Sequence, residues 1–82
     1  MGRKVKRKED VYEQIAMNIR YYRKLKKMTQ AELAEKTQYS HEFIRRVEAP
    51  KVKKTFSIDT ICHIADALDI DVRMLFEQSE KK

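Results

Sequence analysis

His41, Glu42, Arg45 and Arg46 stand within six consecutive positions. On a helix, Glu42, Arg45 and Arg46 fall three and four residues apart and share a face. Ile44, between them, and Val47, just after them, face the other way. Such a segment buries one side and offers carboxylate, imidazole and guanidinium groups on the other. A guanidinium fork matches a pair of neighbouring acceptors, so this is binding chemistry. Catalytic chemistry is not expected. Cys62 and His63 are adjacent, so on a helix they point about 100° apart and do not pair as nucleophile and base. Cys62 reads as a small core or boundary residue and His63 as exposed. His41 and His63 sit at no metal-ligand spacing, and with one glycine in the chain there is no phosphate-binding glycine loop. No catalytic residue, metal or cofactor is therefore expected.

The elements that must position this segment read clearly from the sequence. Residues 1–10 form a basic tail with Arg3, Lys4, Lys6, Arg7 and Lys8, expected to be flexible on its own. Residues 11–78 form one domain, and residues 79–82 should fray. Helix 1 is expected from about Val11 to Lys27, with Val11, Ile15, Ile19, Tyr22 and Leu25 on its apolar face. Its C-terminal half is rich in cations, which complement the helix dipole. Met28 reads as an inward-pointing connector. Thr29 and Glu32 form a capping box that starts helix 2, which ends near Thr37. Gln38-Tyr39 is the turn, and Ser40 caps helix 3, which spans about residues 40–49 until Pro50 stops it. Helix 4 begins after Ser57, with Ile58, Ile61, Ile64, Ala65 and Leu68 as its apolar row, and ends at Asp69. A short helix 5 from about Asp71 to Gln78 supplies Val72, Leu75 and Phe76. No strand, repeat or low-complexity tract is expected.

The bulk numbers fit an all-α domain. The chain has 82 residues, 41% of them hydrophobic, 39% charged, and only one Gly and one Pro. Tight hairpins want positive φ, so a glycine-poor chain favours helices. Net charge is +6, unevenly spread. Residues 1–56 carry 16 basic against 7 acidic side chains, a balance of +9, whereas residues 57–82 carry 3 against 6, a balance of −3. A basic front and an acidic back suit a polyanion-binding module. One cysteine allows no internal disulfide, which suits a reducing compartment. No apolar run reaches the length of a membrane span and no signal peptide is visible, so a cytoplasmic, nucleoid-associated protein with no membrane partner is expected.

Together, the ordered pieces resemble the Cro/phage-repressor, or XRE-type, helix-turn-helix family. The resemblance runs over about residues 11–77. It is carried by Thr29-Gln30-x-x-Leu33-Ala34, Ile44, Val47-Glu48, Ile64-Ala65-x-x-Leu68 and Leu75-Phe76. It implies a compact five-helix domain with helices 2 and 3 as the helix-turn-helix. It also implies double-stranded DNA as partner, with helix 3 in the major groove. His41, Glu42 and Arg46, with Arg45 beside them, become base-contacting positions. Arg46 is the best match to guanine O6 and N7. Glu42 either accepts from a cytosine amino group or orients Arg45 or Arg46. Phe43 either touches a thymine methyl or packs on a neighbouring helix. Gln30, Ser40, Arg23 and Lys51 are the phosphate candidates, and Arg23 and Glu48 occupy the positions of a structural ion pair. The family's glycines after helices 2, 3 and 4 are here Gln38, Ala49-Pro50 and Asp69. Pro50 cannot adopt positive φ, so the loop after helix 3 must take another path.

The reading favoured by these features is a small transcriptional regulator that binds DNA as a homodimer, with Leu75 and Phe76 as seam anchors. The alternative is a protein-interaction module on the same fold, such as an antitoxin or bridging coactivator, which presents the acidic C-terminal part to a protein partner. Operator, sign of regulation and regulated gene are not written in these residues.

Overall fold

The computed structural model describes residues 8–50 and 55–78. The basic tail up to Arg7, the loop lysines Lys51, Lys53 and Lys54, and the last four residues lie outside the described residues. Four α-helices follow in order: α1 (Lys8–Leu25), α2 (Gln30–Thr37), α3 (His41–Glu48) and α4 (Ile58–Leu68). A 3₁₀ turn, Val72–Phe76, closes the described chain. The described residues contain no strand. None of their helices is long and apolar enough to cross a membrane.

Helices α2, α3 and α4 each start where a side chain takes up an orphan N–H group. Thr29 Oγ1 accepts from Glu32 N at 3.0 Å, and Glu32 Oε1 accepts from Thr29 N at 2.8 Å. Ser40 Oγ accepts from Phe43 N at 3.0 Å, and Ser57 Oγ accepts from Thr60 N at 3.2 Å. The first helix begins three residues earlier than its apolar face predicts. Glu9 and Asp10 occupy its first turn, where carboxylates complement the positive end of the dipole.

Three helices end on a left-handed residue, none of them glycine: Lys27 at φ 58°, Gln38 at φ 67° and Asp69 at φ 59°. After α1, Lys27 N donates to Lys24 O and Met28 N to Arg23 O. After α4, Asp69 N donates to Asp66 O and Ile70 N to Ala65 O. Both are Schellman closures, which satisfy the last carbonyls. The end of α3 differs. Ala49 is extended at φ −65°, ψ 134°, as the residue before a proline prefers.

The core lies where α1, α2, α3 and α4 converge. Ile15, Ile19, Leu33, Ile44, Ile64 and Leu68 are fully buried there. One expected core residue needs correction. Leu25 is 58% exposed, not a core residue. Each three-residue step along a helix falls about 60° short of a full turn, so Ile19–Tyr22–Leu25 walks about 120° round the helix and out of the core. Asn18 takes the buried place instead, and its Nδ2 donates to Leu75 O and Glu77 O, both at 2.8 Å.

Those two bonds also explain why the fifth helix is a 3₁₀ turn. They draw on carbonyls at the end of the segment. At its start, the Asp71 carboxylate accepts from Arg73 N at 2.9 Å, and Met74 N closes onto Asp71 O at 2.9 Å. Hydrogen bonds from the Arg73 side chain, then from its backbone, push the Asp71 carboxyl down to about 2. A depressed carboxyl supports the fold above its ordinary range, so this cap is lost only as pH falls towards about 2. Leu75 is fully buried in the chain's own core. It cannot serve as a seam anchor, and only Phe76, at 44% exposure, retains that surface. Cys62 is exposed as well, not a core or boundary residue.

Left-handed backbone at a residue with a Cβ costs about 1–2 kcal/mol, partly offset in glycine by its larger unfolded-state entropy. Gln38→Gly should therefore raise the unfolding free energy by about 0.5–1 kcal/mol in urea melts. A fall in the midpoint would contradict the strain assigned to this turn.

Candidate nucleic-acid interface

The eight residues of α3 are too few to stay helical alone, since isolated helices below about 12–15 residues are marginal in water. Tertiary contacts must hold α3, and they concentrate at Glu48. This carboxylate is 2% exposed. Its Oε2 accepts from Arg23 Nε at 2.7 Å, and its Oε1 accepts from Arg23 Nη2 at 2.9 Å and from Gln30 Nε2 at 3.1 Å. Arg23 Nη1 donates to Met28 O at 2.8 Å, so all three guanidinium nitrogens have partners. The backbone carbonyl of Glu48 accepts from Arg20 Nη1 at 2.7 Å. A cation there complements the negative end of the α3 dipole. Side chains from α1 and α2 thus grip the last residue of α3.

The start of α3 is braced from α4. Tyr39 stacks against Phe43 with ring centroids 4.9 Å apart and against His63 at 5.4 Å. His63 Nε2 lies 3.0 Å from Thr37 O. The Thr37 hydroxyl is buried and donates back to Leu33 O. The turn between α2 and α3 is therefore tied to α4 by rings and by one imidazole. Phe43 is half-buried, in the packing role.

With both ends held, the outer face of α3 points to solvent. His41, Glu42, Arg45 and Arg46 are all exposed. Glu42 Oε2 lies 3.3 Å from Arg45 Nη2, one turn along the helix, and both side chains are exposed. Glu42, Arg45, Arg46 and Ala49 line a shallow open depression. Ser40 accepts its capping bond, and its hydroxyl proton remains able to donate. Gln30 is half-buried and turned partly towards Glu48.

Arg23 fills the structural half of its expected roles: it is 7% exposed, and three of its five N–H donors go to Glu48 and Met28. Lys51 lies outside the described residues. Sequence reasoning missed Arg20 and Asn18, two polar side chains on α1 that reach backbone carbonyls of later elements. Their only signal is position: Arg20 stands one turn before Arg23.

The sequence profile described as Helix-turn-helix matches residues 19–75. This chain belongs to the helix-turn-helix family. The family is of the XRE type, and its members are DNA-binding transcription regulators. Among solved structures, the chain is similar to a hypothetical transcription factor, NHTF, from Neisseria. The TM-score is 0.79 at 21% identity, over 98% of this chain and 88% of that one, a likeness of fold. It is also similar to the restriction-modification controller protein C.AhdI from Aeromonas hydrophila. Here the TM-score is 0.72 at 28% identity, over 79% of this chain and 96% of that one. No curated protein matches the sequence. In helix-turn-helix terms, α2 and α3 are the motif, and α1 and α4 pack around it.

Breaking one side of a buried ion pair costs about 3–5 kcal/mol, because the other charge stays buried and unpaired. Glu48→Ala should lower the urea unfolding free energy by about 3 kcal/mol or more. The Arg23→Met, Glu48→Leu double variant should lose less than Glu48→Ala alone, since no charge is stranded. A loss below about 1 kcal/mol in Glu48→Ala, the range of an exposed pair, would remove the clamp.

Proposed function

We propose that this chain is a sequence-specific transcriptional regulator that binds duplex DNA as a two-fold dimer, each α3 lying in a major groove. The observation that carries this is the exposed, cationic outer face of α3 on a helix held at its end by a buried ion pair and at its start by aromatic packing. Half-sites would lie about 34 Å apart on one face of the duplex. That suits a two-fold operator and a two-fold protein.

Arg46 is assigned to guanine, where its fork meets O6 and N7. Arg45 sits beside it, and its pairing with Glu42 favours the orienting role for that carboxylate over a cytosine contact. His41, first residue of α3, faces the neighbouring base edge. Gln30 and Ser40 stand at the starts of α2 and α3. Helix N-termini there add N–H groups and a positive dipole end for phosphate. Gln30 has two amide protons, and one already meets Glu48, which aims the other. Lys51 is kept as a phosphate candidate on sequence alone. C.AhdI, a controller of restriction-modification, is an example of a small regulator with this architecture.

Selection from a random duplex pool at about physiological salt, followed by sequencing, should enrich a palindrome. On the enriched duplex, Arg46→Ala should cost about 1–3 kcal/mol of binding and relax selectivity at one guanine per half-site, with the circular dichroism spectrum unchanged. No enriched sequence, or Arg45→Ala and Arg46→Ala variants that bind as the parent does, would overturn the reading and favour a protein-binding module.

A further inference from the structure

The outer face of α3 carries a trough that the arginine assignments leave unused. Glu42, Arg45, Arg46 and Ala49 line it. Their spacing sets its shape. Arg45 and Arg46 are successive residues, so their side chains leave the helix about 100° apart. Glu42 and Ala49 are seven positions apart, about two turns, and fall on nearly one line between the two arginines. Ala49 lies one residue past α3, and its N–H still donates to Arg46 O at 3.3 Å, so the backbone keeps the helical course that far. The trough therefore has an arginine on either side, a carboxylate at one end and a methyl at the other.

Its two ends differ in chemistry. The Arg45 guanidinium turns towards Glu42, with Nη2 3.3 Å from Oε2, and leaves its stem as one wall. That side chain is 55% exposed against 84% for Glu42, so the stem lies along the surface while the carboxylate stands clear. Arginine stems are apolar although their heads are charged. Ala49 is half-buried. Its hydrogen bonds are made by its backbone, so a methyl is what it offers the trough. Away from Glu42, the lining is aliphatic: two stems and a methyl.

The major-groove edge of a duplex presents one apolar group, the C5-methyl of thymine. Cytosine carries the same group when it is methylated at C5. Phosphate does not suit the trough, because Glu42 closes one end with a negative charge. The last turn of α3 lies as deep in the groove as the first: eight residues span about 12 Å, no more than the groove is wide. We infer that the Arg45–Arg46–Ala49 trough takes the C5-methyl of a major-groove pyrimidine, thymine or 5-methylcytosine, beside the guanine that Arg46 meets. The place follows from Arg46 itself, whose head holds the guanine while its stem walls the trough, so the two bases are neighbours. This rests on the DNA-binding reading and adds to it a sensitivity to a single methyl group on the DNA.

The test uses the full chain and the duplex enriched by selection. Each thymine of a half-site is replaced in turn by uracil, which deletes the C5-methyl and alters no hydrogen-bonding edge. Each cytosine is replaced by 5-methylcytosine, which adds it. One position, beside the guanine whose selectivity Arg46→Ala relaxes, should respond. Uracil there should weaken binding roughly fourfold per half-site, or 5-methylcytosine strengthen it as much, as expected for one buried methyl. Which of the two substitutions acts tells whether thymine or methylated cytosine is the occupant. Ala49→Gly should bring the affinity ratio with and without the methyl close to one. Because the ratio is taken within one variant, a general loss of affinity or stability cancels. Phe43→Leu should leave the ratio unchanged. Methyl substitutions that all stay within about twofold, half the free energy of one methyl, would overturn the trough and leave the selected operator standing. So would a methyl effect that Ala49→Gly leaves intact. A chain that enriches no duplex overturns the DNA-binding reading itself, and the trough with it.

Discussion

A carboxylate at 2% exposure is several kcal/mol out of place unless something compensates the lost hydration. Glu48 is compensated by a fork from Arg23, an amide from Gln30 and, at its own carbonyl, a second guanidinium from Arg20. Four residues from three helices meet at the last position of α3. Hydrophobic contacts from Ile44 and Val47 hold α3 against the core but are non-directional and set its rotation loosely. The bidentate pair is directional: it fixes which way α3 faces and how far along α1 it sits. A binding face of four side chains on eight residues depends on that fixity.

The rest of the molecule reads as support for the same element. The tilted rings of Tyr39, Phe43 and His63 hold the other end of α3. The capping box at Thr29 fixes where α2 begins, and so where Gln30 stands. The 3₁₀ turn seals α1 and α4 through Asn18 and Leu75. Charge is divided along the sequence, basic in balance up to residue 56 and acidic beyond it.

Much of this was legible in the sequence because it is local. Thr29 with Glu32, Ser40, Ser57 and Pro50 mark helix ends within a few residues, and the structure places those ends accordingly. Most of what failed was non-local. One failure was local: two successive three-residue steps from Ile19 carry Leu25 about 120° round the helix to the solvent side. Asn18 looks like a surface residue by type, and only the arrival of the 3₁₀ turn, more than fifty positions later, gives it partners. The fifth helix looked α-helical until Asp71 and Asn18 claimed its ends. Arg23 reads from its position as a strut, and its bonds to Glu48 and Met28 fill that role. For His41, Glu42, Arg45 and Arg46, sequence shows the residue types and the structure shows the shared exposed face. Which base each one meets is a property of the complex.

The clamp and the binding face make one central claim: α3 reads DNA only because Glu48 holds it. The direct measurement is the affinity of Glu48→Ala for the selected duplex, at a temperature where parent and variant are both folded by circular dichroism. Electrostatics alone predicts tighter binding, because the substitution removes a negative charge from a protein that binds a polyanion. The clamp predicts the opposite sign, a loss of roughly tenfold or more, about 1.4 kcal/mol, with no DNA contact removed. Equal or tighter binding by a folded Glu48→Ala variant would contradict it.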